Sequence, residues 1–298
     1  MSNASLAVWN DRMRRLRIQH VTEYIFSTPV TLNCHRLLLR PREGHDVHIE
    51  SSRLEISPQY SIRWCRDVFD NSLAFVDFIQ RSNRIRVFSD VVIQHYEGPS
   101  QRISINGYSL TKPFNYEPGE LLDLASYQQP IYKQDQPALQ CWLREIGLAN
   151  DDVKVLCLQS TLNRAIHSQF QYKVREEAGV QSPLRTLSLG SGSCRDYATL
   201  FIEACRSLGL ASRFVSGYLH APATEIGNAS THAWAEVYLP GIGWQGFDPT
   251  LGDITGHSHI AVAVARDPQT VPPISGCFIG PKNISPTMFV NVQVNLLQ

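Results

Sequence analysis

Residues 188–219 read SLGSGSCRDYATLFIEACRSLGLASRFVSGYL. The spacing predicts a helix followed by a strand. Tyr197, Phe201, Ala204 and Leu208 fall at i, i+4, i+7 and i+11, one apolar stripe at the helical period, with Ala198 and Cys205 beside it. Ser193 and Asp196 form an S-x-x-D pattern, a capping box with Ser193 as N-cap. Gly209 supplies the stop. Cys194 therefore begins the helix, and Cys205 lies in its middle, facing a core.

Position separates the two cysteines chemically. The thiolate, not the thiol, is the nucleophile. Unpaired N–H groups at a helix N-terminus favour an anion there, whether a thiolate or the oxyanion formed when it adds to a carbonyl. The GSGS run before Cys194 puts no bulk in front of it. Cys205 has no such setting, so Cys194 is the candidate nucleophile.

A nucleophilic cysteine needs a base and a group that orients the base. Residues 230–250, STHAWAEVYLPGIGWQGFDPT, predict a hairpin. His232, Trp234, Glu236 and Tyr238 share one face; Ala233, Ala235, Val237 and Leu239 share the core face. With the loop at 239–243, Tyr238 pairs with Trp244 and Trp234 with Asp248. His232 and Asp248 become diagonal neighbours, Cβ atoms roughly 7–8 Å apart. A one-residue slip would separate them. The expected triad is Cys194, His232 and Asp248.

The rest of the chain frames this core. Up to residue 97 the sequence alternates at period two, in LRIQHVTEYIF, HIESSRLEI, YSIRWCRDVF, LAFVDFI and RIRVFSDVVIQHY, with DNS punctuating a hairpin. We expect an antiparallel β-sandwich over 14–97 behind an N-terminal extension, 1–13, with Met13 as an alternative start. A connector rich in Pro, Gly, Gln and Tyr follows over 98–135, anchored by Phe114, Tyr116 and Tyr127; its EGPSQRISINGYS segment is a candidate lid. The catalytic core, with the C-terminal strands, is assigned to 136–298. Two helices are expected there, PALQCWLREIGL and DDVKVLCLQSTLNRAIHSQF, then a strand FQYKV, a Pro-led turn or helix SPLRTL, and late strands HIAVAVA and MFVNVQVNLL.

Composition narrows the class. Formal net charge is zero, without the basic excess of a nucleic-acid binder; the cluster Arg12, Arg14, Arg15 and Arg17 reads as a solvated lead-in. No apolar run approaches a membrane span, and the N-terminus lacks signal-peptide order, so no membrane partner and a cytoplasmic location are expected. The seven cysteines, Cys34, Cys65, Cys141, Cys157, Cys194, Cys205 and Cys277, lack any C-x-x-C. They predict neither a disulfide framework nor a zinc site; most, Cys141 and Cys157 included, read as buried.

The blocks GSGSCRDYATLFIEACRSLGLASRFVSGYL and HAWAEVYLPGIGWQGFDPT, with HIAVAVARDPQTVPPISG downstream, resemble the bacterial transglutaminase-like superfamily of cysteine acyl-transfer enzymes. RIQHVTEYIFSTPV and HRLLLRPR resemble the N-terminal region that precedes this core. The resemblance implies an α+β fold: an N-terminal antiparallel β-sandwich-like domain, then a papain-like core. It matches Cys194 to the nucleophile, His232 to the base and Asp248 to its orienter. It implies chemistry through a thioester on a peptide or protein amide, as peptidase or amidase, or as an amine-accepting transglutaminase. A non-catalytic scaffold of the same fold is the alternative of a different class. No cofactor is expected, and no acidic calcium loop is present. The chain departs from the pattern at Ala265, where Gly is expected, and at Pro268, where an aromatic is expected.

Secondary candidates surround the triad. Tyr172, in FQYKV, is a candidate oxyanion donor by resemblance, or a core aromatic. Trp234 reads as a wall of the cleft. Glu236 shares the His232 face and would tune the site or stand solvated. His257 and His259, at i and i+2, could suggest zinc with Asp253; we assign no metal, and His259 alternatively lines or buttresses the cleft.

Overall fold

The computed structural model describes residues 13–96, 116–148, 155–175, 177–220 and 231–297, the side chains of 155–159 apart. The extension before Met13, Phe114, the candidate lid and the Cys157 side chain lie outside the described residues. No described helix is long and apolar enough to cross a membrane.

The period-two segments form strands: β1 (Met13–Leu32), β2 (His35–Leu37), β3 (Val47–Ser57), β4 (Tyr60–Arg66), β5 (Ser72–Phe78) and β6 (Ser82–Tyr96). β1 alternates as its sequence does, burying Leu16, Ile18, His20 and Thr22 on one face. β1, β6 and β3 pair antiparallel in one sheet, and β2, β5 and β4 in another. Phe26, Val30, Ile85 and Val87 of the first meet Leu37, Ala74 and Val76 of the second, so the two sheets sandwich a core.

Helices follow: α1 (Pro118–Gln128), α2 (Gln136–Glu145) and α3 (Val155–Gln169). α1 was not expected, since its stretch reads as connector; Pro at its first turn and the ELLDL run after it are the helical signals. Then come β7 (Gln171–Tyr172), α4 (Pro183–Leu189), β8 (Ser191–Gly192) and α5 (Cys194–Ser207). The second sheet-bearing half contains β9 (Ser212–Leu219), β10 (Thr231–Leu239), β11 (Gly243–Asp248), β12 (Asp253–Ile254) and β13 (His259–Ala265), in the antiparallel order β12-β11-β10-β9-β13. α5 packs on this sheet: Tyr197, Phe201 and Ala204 join Phe214, Ala233, Ala235 and Phe247 in one core. The protein is therefore α+β, with a sandwich preceding a helix-covered sheet.

Three sequence expectations need correction. The final strands, β14 (Ile274–Ser275), β15 (Phe278–Ile279) and β16 (Thr287–Leu297), return to the sandwich and do not join the β9–β13 sheet of the core. β16 pairs with β1 along its whole length, from Arg15↔Leu297 to Ile25↔Thr287. Its alternating VNVQV suits any half-buried sheet, so sequence pattern does not select the partner. Second, α5 is buried all round, not along one stripe. Its far face carries Glu203 and Arg206, which pair at 2.8 Å; Glu203 also accepts the N–H groups of Ile131 and Tyr132. Buried charge is tolerated because both ends are hydrogen-bonded. Third, Cys34, Cys141 and Cys277 are exposed. Cys141 lies off the buried stripe of α2, which is Leu139, Trp142 and Leu143.

The sandwich grips the edge of the helix-covered sheet. β13 is an edge strand there, and the Asn71 side chain serves as its missing neighbour. Asn71 Oδ1 accepts from Val264 N–H at 2.8 Å, and Nδ2 donates to Val264 C=O at 2.7 Å. Pro268, where an aromatic was expected, is buried and starts a short turn that Asp267 caps. Ala265 keeps its place in β13, opposite Phe214.

Candidate active site

The front of α5 is held by one carboxylate. Asp196 Oδ2 accepts from the N–H and the hydroxyl of Ser193, both at 2.8 Å, closing the capping box. Oδ1 accepts from Arg175 Nη1 and from Gln181 N–H, both at 2.7 Å. Asp196 thus ties Arg175 and Gln181 to the helix mouth. The capping role is readable in sequence; the Arg175 and Gln181 bonds are not, because nothing local brings those two residues to Asp196.

Cys194 occupies the first position of α5 and is 8% exposed. Its sulfur lies beside both the His232 ring and the Tyr172 hydroxyl and acts on each electrostatically. Tyr172 gets there because β7 runs parallel to β8, Tyr172 opposite Gly192, two residues ahead of the thiol. Burial, then the neighbouring sulfur, raises the Tyr172 hydroxyl pKa, so the group remains a donor.

The β10–β11 hairpin has the expected register, with Tyr238 opposite Trp244 and Leu239 opposite Gly243. It brings His232 Nε2 to 2.7 Å from Asp248 Oδ2. Nδ1 is left as the ring nitrogen available to Cys194. Burial disfavours charge on His232, but Asp248 and the Cys194 sulfur outweigh it and raise its pKa to about 10. Burial likewise opposes charge on Asp248, yet the two imidazole contacts bring its pKa down, well below the usual carboxylate range. Asp248 also caps the turn after it: Oδ1 accepts from Thr250 N–H at 2.9 Å and Leu251 N–H at 3.3 Å.

His259 reaches the same carboxylate, Nε2 to Asp248 Oδ2 at 3.0 Å. The sheet order explains this. His232 lies opposite Gly217 of β9, and Gly217 lies opposite Ala261 of β13, so both histidines flank a position without a side chain. Trp234 fills that space: a Cβ on Gly217 would lie 2.6 Å from its ring. The expected role of Trp234 changes accordingly. It is 2% exposed and backs the histidines, edge-on to His259 at 5.2 Å, instead of walling an open cleft.

The other candidates lie elsewhere. Glu236 holds Arg213 at 2.6 Å, and Arg213 lies over Trp244. His257 sits against His95, and Asp253 is exposed on β12, so neither joins His259. Ligand atoms of His232, Asp248 and His259 do fall within 4.8 Å of one another. Both ring N–H groups are already spent on a carboxylate with all four acceptor positions filled. The donor set is thus satisfied as a proton network.

Residues 144–249 match the family model of the transglutaminase-like superfamily, and residues 16–94 that of the bacterial transglutaminase-like N-terminal region. The chain carries a transglutaminase-like core behind a bacterial transglutaminase-like N-terminal region. An uncharacterized protein of Mycobacterium tuberculosis is 27% identical over 303 aligned residues, covering 92% of this chain and 91% of its own. One of Mycobacterium leprae is 25% identical, covering 90% and 94%. Among solved structures, a candidate cysteine protease from Cytophaga hutchinsonii superposes with a TM-score of 0.72 at 18% identity, over 96% of this chain and 91% of that one. That likeness speaks for the fold.

Proposed function

We propose that the protein is a cysteine-dependent acyl-transfer enzyme that opens amide bonds through a thioester. One observation carries the proposal: Asp248 holds His232 at 2.7 Å, and His232 lies beside the Cys194 thiol at the mouth of a buried helix. Cys194 Sγ adds to the amide carbonyl as His232 Nδ1 takes the thiol proton. The oxyanion meets the Cys194 N–H and the Tyr172 hydroxyl. His232 returns the proton to the leaving amine as the C–N bond breaks, leaving a thioester. Water, deprotonated by His232, then releases the acid and regenerates the thiol.

Water is taken as the acceptor, with a primary amine as the alternative that attacks the same thioester. The test is mass spectrometry of glutamine-containing peptides incubated with the enzyme and a primary amine. Cleavage or deamidation, absent in Cys194→Ala, supports hydrolysis. Amine incorporation would instead assign a transglutaminase. Inertness of the wild type in every assay would leave a peptide-binding scaffold.

A further inference from the structure

His259 takes no part in the chemistry just described, yet it is built into the same carboxylate. Its Nδ1 accepts from Gly256 N–H at 3.2 Å, which places the ring proton on Nε2 and makes that atom a donor. Its side chain is 7% exposed and lies behind the site, against Trp234. Nε2 shares Asp248 Oδ2 with His232, at 3.0 Å against 2.7 Å. Two N–H donors on one oxygen divide its negative charge, so each weakens what the oxygen offers the other. With Thr250 and Leu251 on the second oxygen, the carboxylate has no free acceptor and one orientation.

We propose that His259 is a positioning residue that locks Asp248 and limits how tightly Asp248 holds a protonated His232. The proposal rests on the acyl-transfer assignment above. Its consequence is that His232 releases its proton to the leaving amine more readily, since general acid–base transfer works best when the proton is not over-held. The groups facing His232 are few. α5 contributes Cys194, β11 Asp248, β13 His259, and β7 Tyr172 through the Cys194 sulfur. β9 presents Gly217 there, and Tyr218 turns away to meet His20.

The experiment compares full-length wild type with His259→Phe, which keeps a ring against Trp234 without the N–H, and His259→Gln, which keeps an N–H donor. His232 is titrated by NMR through its ring resonances. In parallel, Cys194 alkylation by iodoacetamide is followed against pH. His259→Phe is expected to raise the His232 midpoint by on the order of half a unit, and His259→Gln to restore it. The alkylation profile should shift in the same direction. If His259→Phe does not fold, His259→Leu takes its place. An unmoved midpoint in a folded non-donor variant, or a midpoint that His259→Gln fails to restore, overturns the inference. Failure of the acyl-transfer assignment looks different. Wild-type Cys194 would then alkylate no faster than exposed Cys141, while the NMR midpoint still reports on His259.

Discussion

His20 Nδ1 of β1 lies 3.0 Å from the Tyr218 hydroxyl of β9, across the seam between the sandwich and the helix-covered sheet. His20 Nε2 is engaged by Thr22 at 2.8 Å, and the residue is 1% exposed. Burial lowers its pKa from 6.5 to about 4. Between these values the unfolded chain binds a proton that the folded chain refuses. This group therefore costs no stability above pH 6.5, and stability falls as pH drops from 6.5 toward 4, by about 3 kcal/mol at most. His20→Gln, which does not titrate, should flatten melting temperature against pH across that window. An equal slope in the variant would place the acid sensitivity elsewhere.

The two cysteines of α5 should part company in a labelling experiment. Cys205 is fully buried, and burial pushes its pKa up to about 12. Limiting iodoacetamide near pH 7, followed by peptide mapping, should modify Cys194 ahead of exposed Cys34, Cys141 and Cys277, and leave Cys205 intact until the protein unfolds. Cys194→Ala should lose all amide-directed activity while melting within about 1 kcal/mol of wild type, since the substitution removes one small side chain at the helix mouth. Equal labelling of Cys194 and Cys205 would contradict the assignment of the nucleophile.

Asp248 serves two structures at once, and two substitutions separate them. Asp248→Ala strands two imidazole N–H groups and two backbone N–H groups in a buried site, so it should destabilise the fold by about 3–5 kcal/mol. Asp248→Asn keeps an acceptor for the turn but removes the charge. It should fold, lower the His232 titration from about 10, and reduce kcat by roughly two to four orders of magnitude. Denaturant melts and kinetics on the same preparations check both. Near-wild-type kcat in Asp248→Asn would mean that the carboxylate charge is not used.

Tyr172→Phe removes one hydroxyl beside the sulfur. If that hydroxyl meets the oxyanion, kcat should fall about 10- to 1000-fold with KM little changed. A rise in KM at constant kcat would mark Tyr172 as a binding group instead.

The start of α5 at Cys194 and the pairing of His232 with Asp248 were legible because both are local. A capping box fixes where α5 begins, and a period-two hairpin with a short loop fixes which residues share a face; neither needs the rest of the fold. What stayed hidden depends on long-range packing. His259 meets Asp248 only because β13 docks on β9, and an apolar run such as HIAVAVA does not declare its neighbour. β16 pairs with β1, more than 250 residues away in sequence, for the same reason. The apolar stripe of α5 says nothing of Glu203 and Arg206 on its far face, where the backbone N–H groups of Ile131 and Tyr132 give Glu203 its partners. α1 was missed because its Pro and Gly resemble connector sequence until the helix they start is seen.

Gly217 tests the packing behind the site. A Cβ built there would fall 2.3 Å from the Ile260 carbonyl oxygen and 2.6 Å from the Trp234 ring. The first neighbour is backbone of β13 and the second a buried indole, so neither can yield without moving the strand or the ring. Gly217→Ala should therefore destabilise the protein by about 1–3 kcal/mol, the usual range for overpacking a filled interior. Because Trp234 backs His259 and lies beside His232, the displacement should also reach the triad and lower kcat further than the stability loss alone would. Gly246→Ala is the matched comparison. Its Cβ would meet the Thr255 side chain at 2.0 Å, a comparable clash on the same sheet next to a threonine instead of the indole. Similar melting losses with a kcat loss confined to Gly217→Ala would tie the effect to Trp234 and the histidines. Equal kcat losses would assign it to general loosening of the sheet.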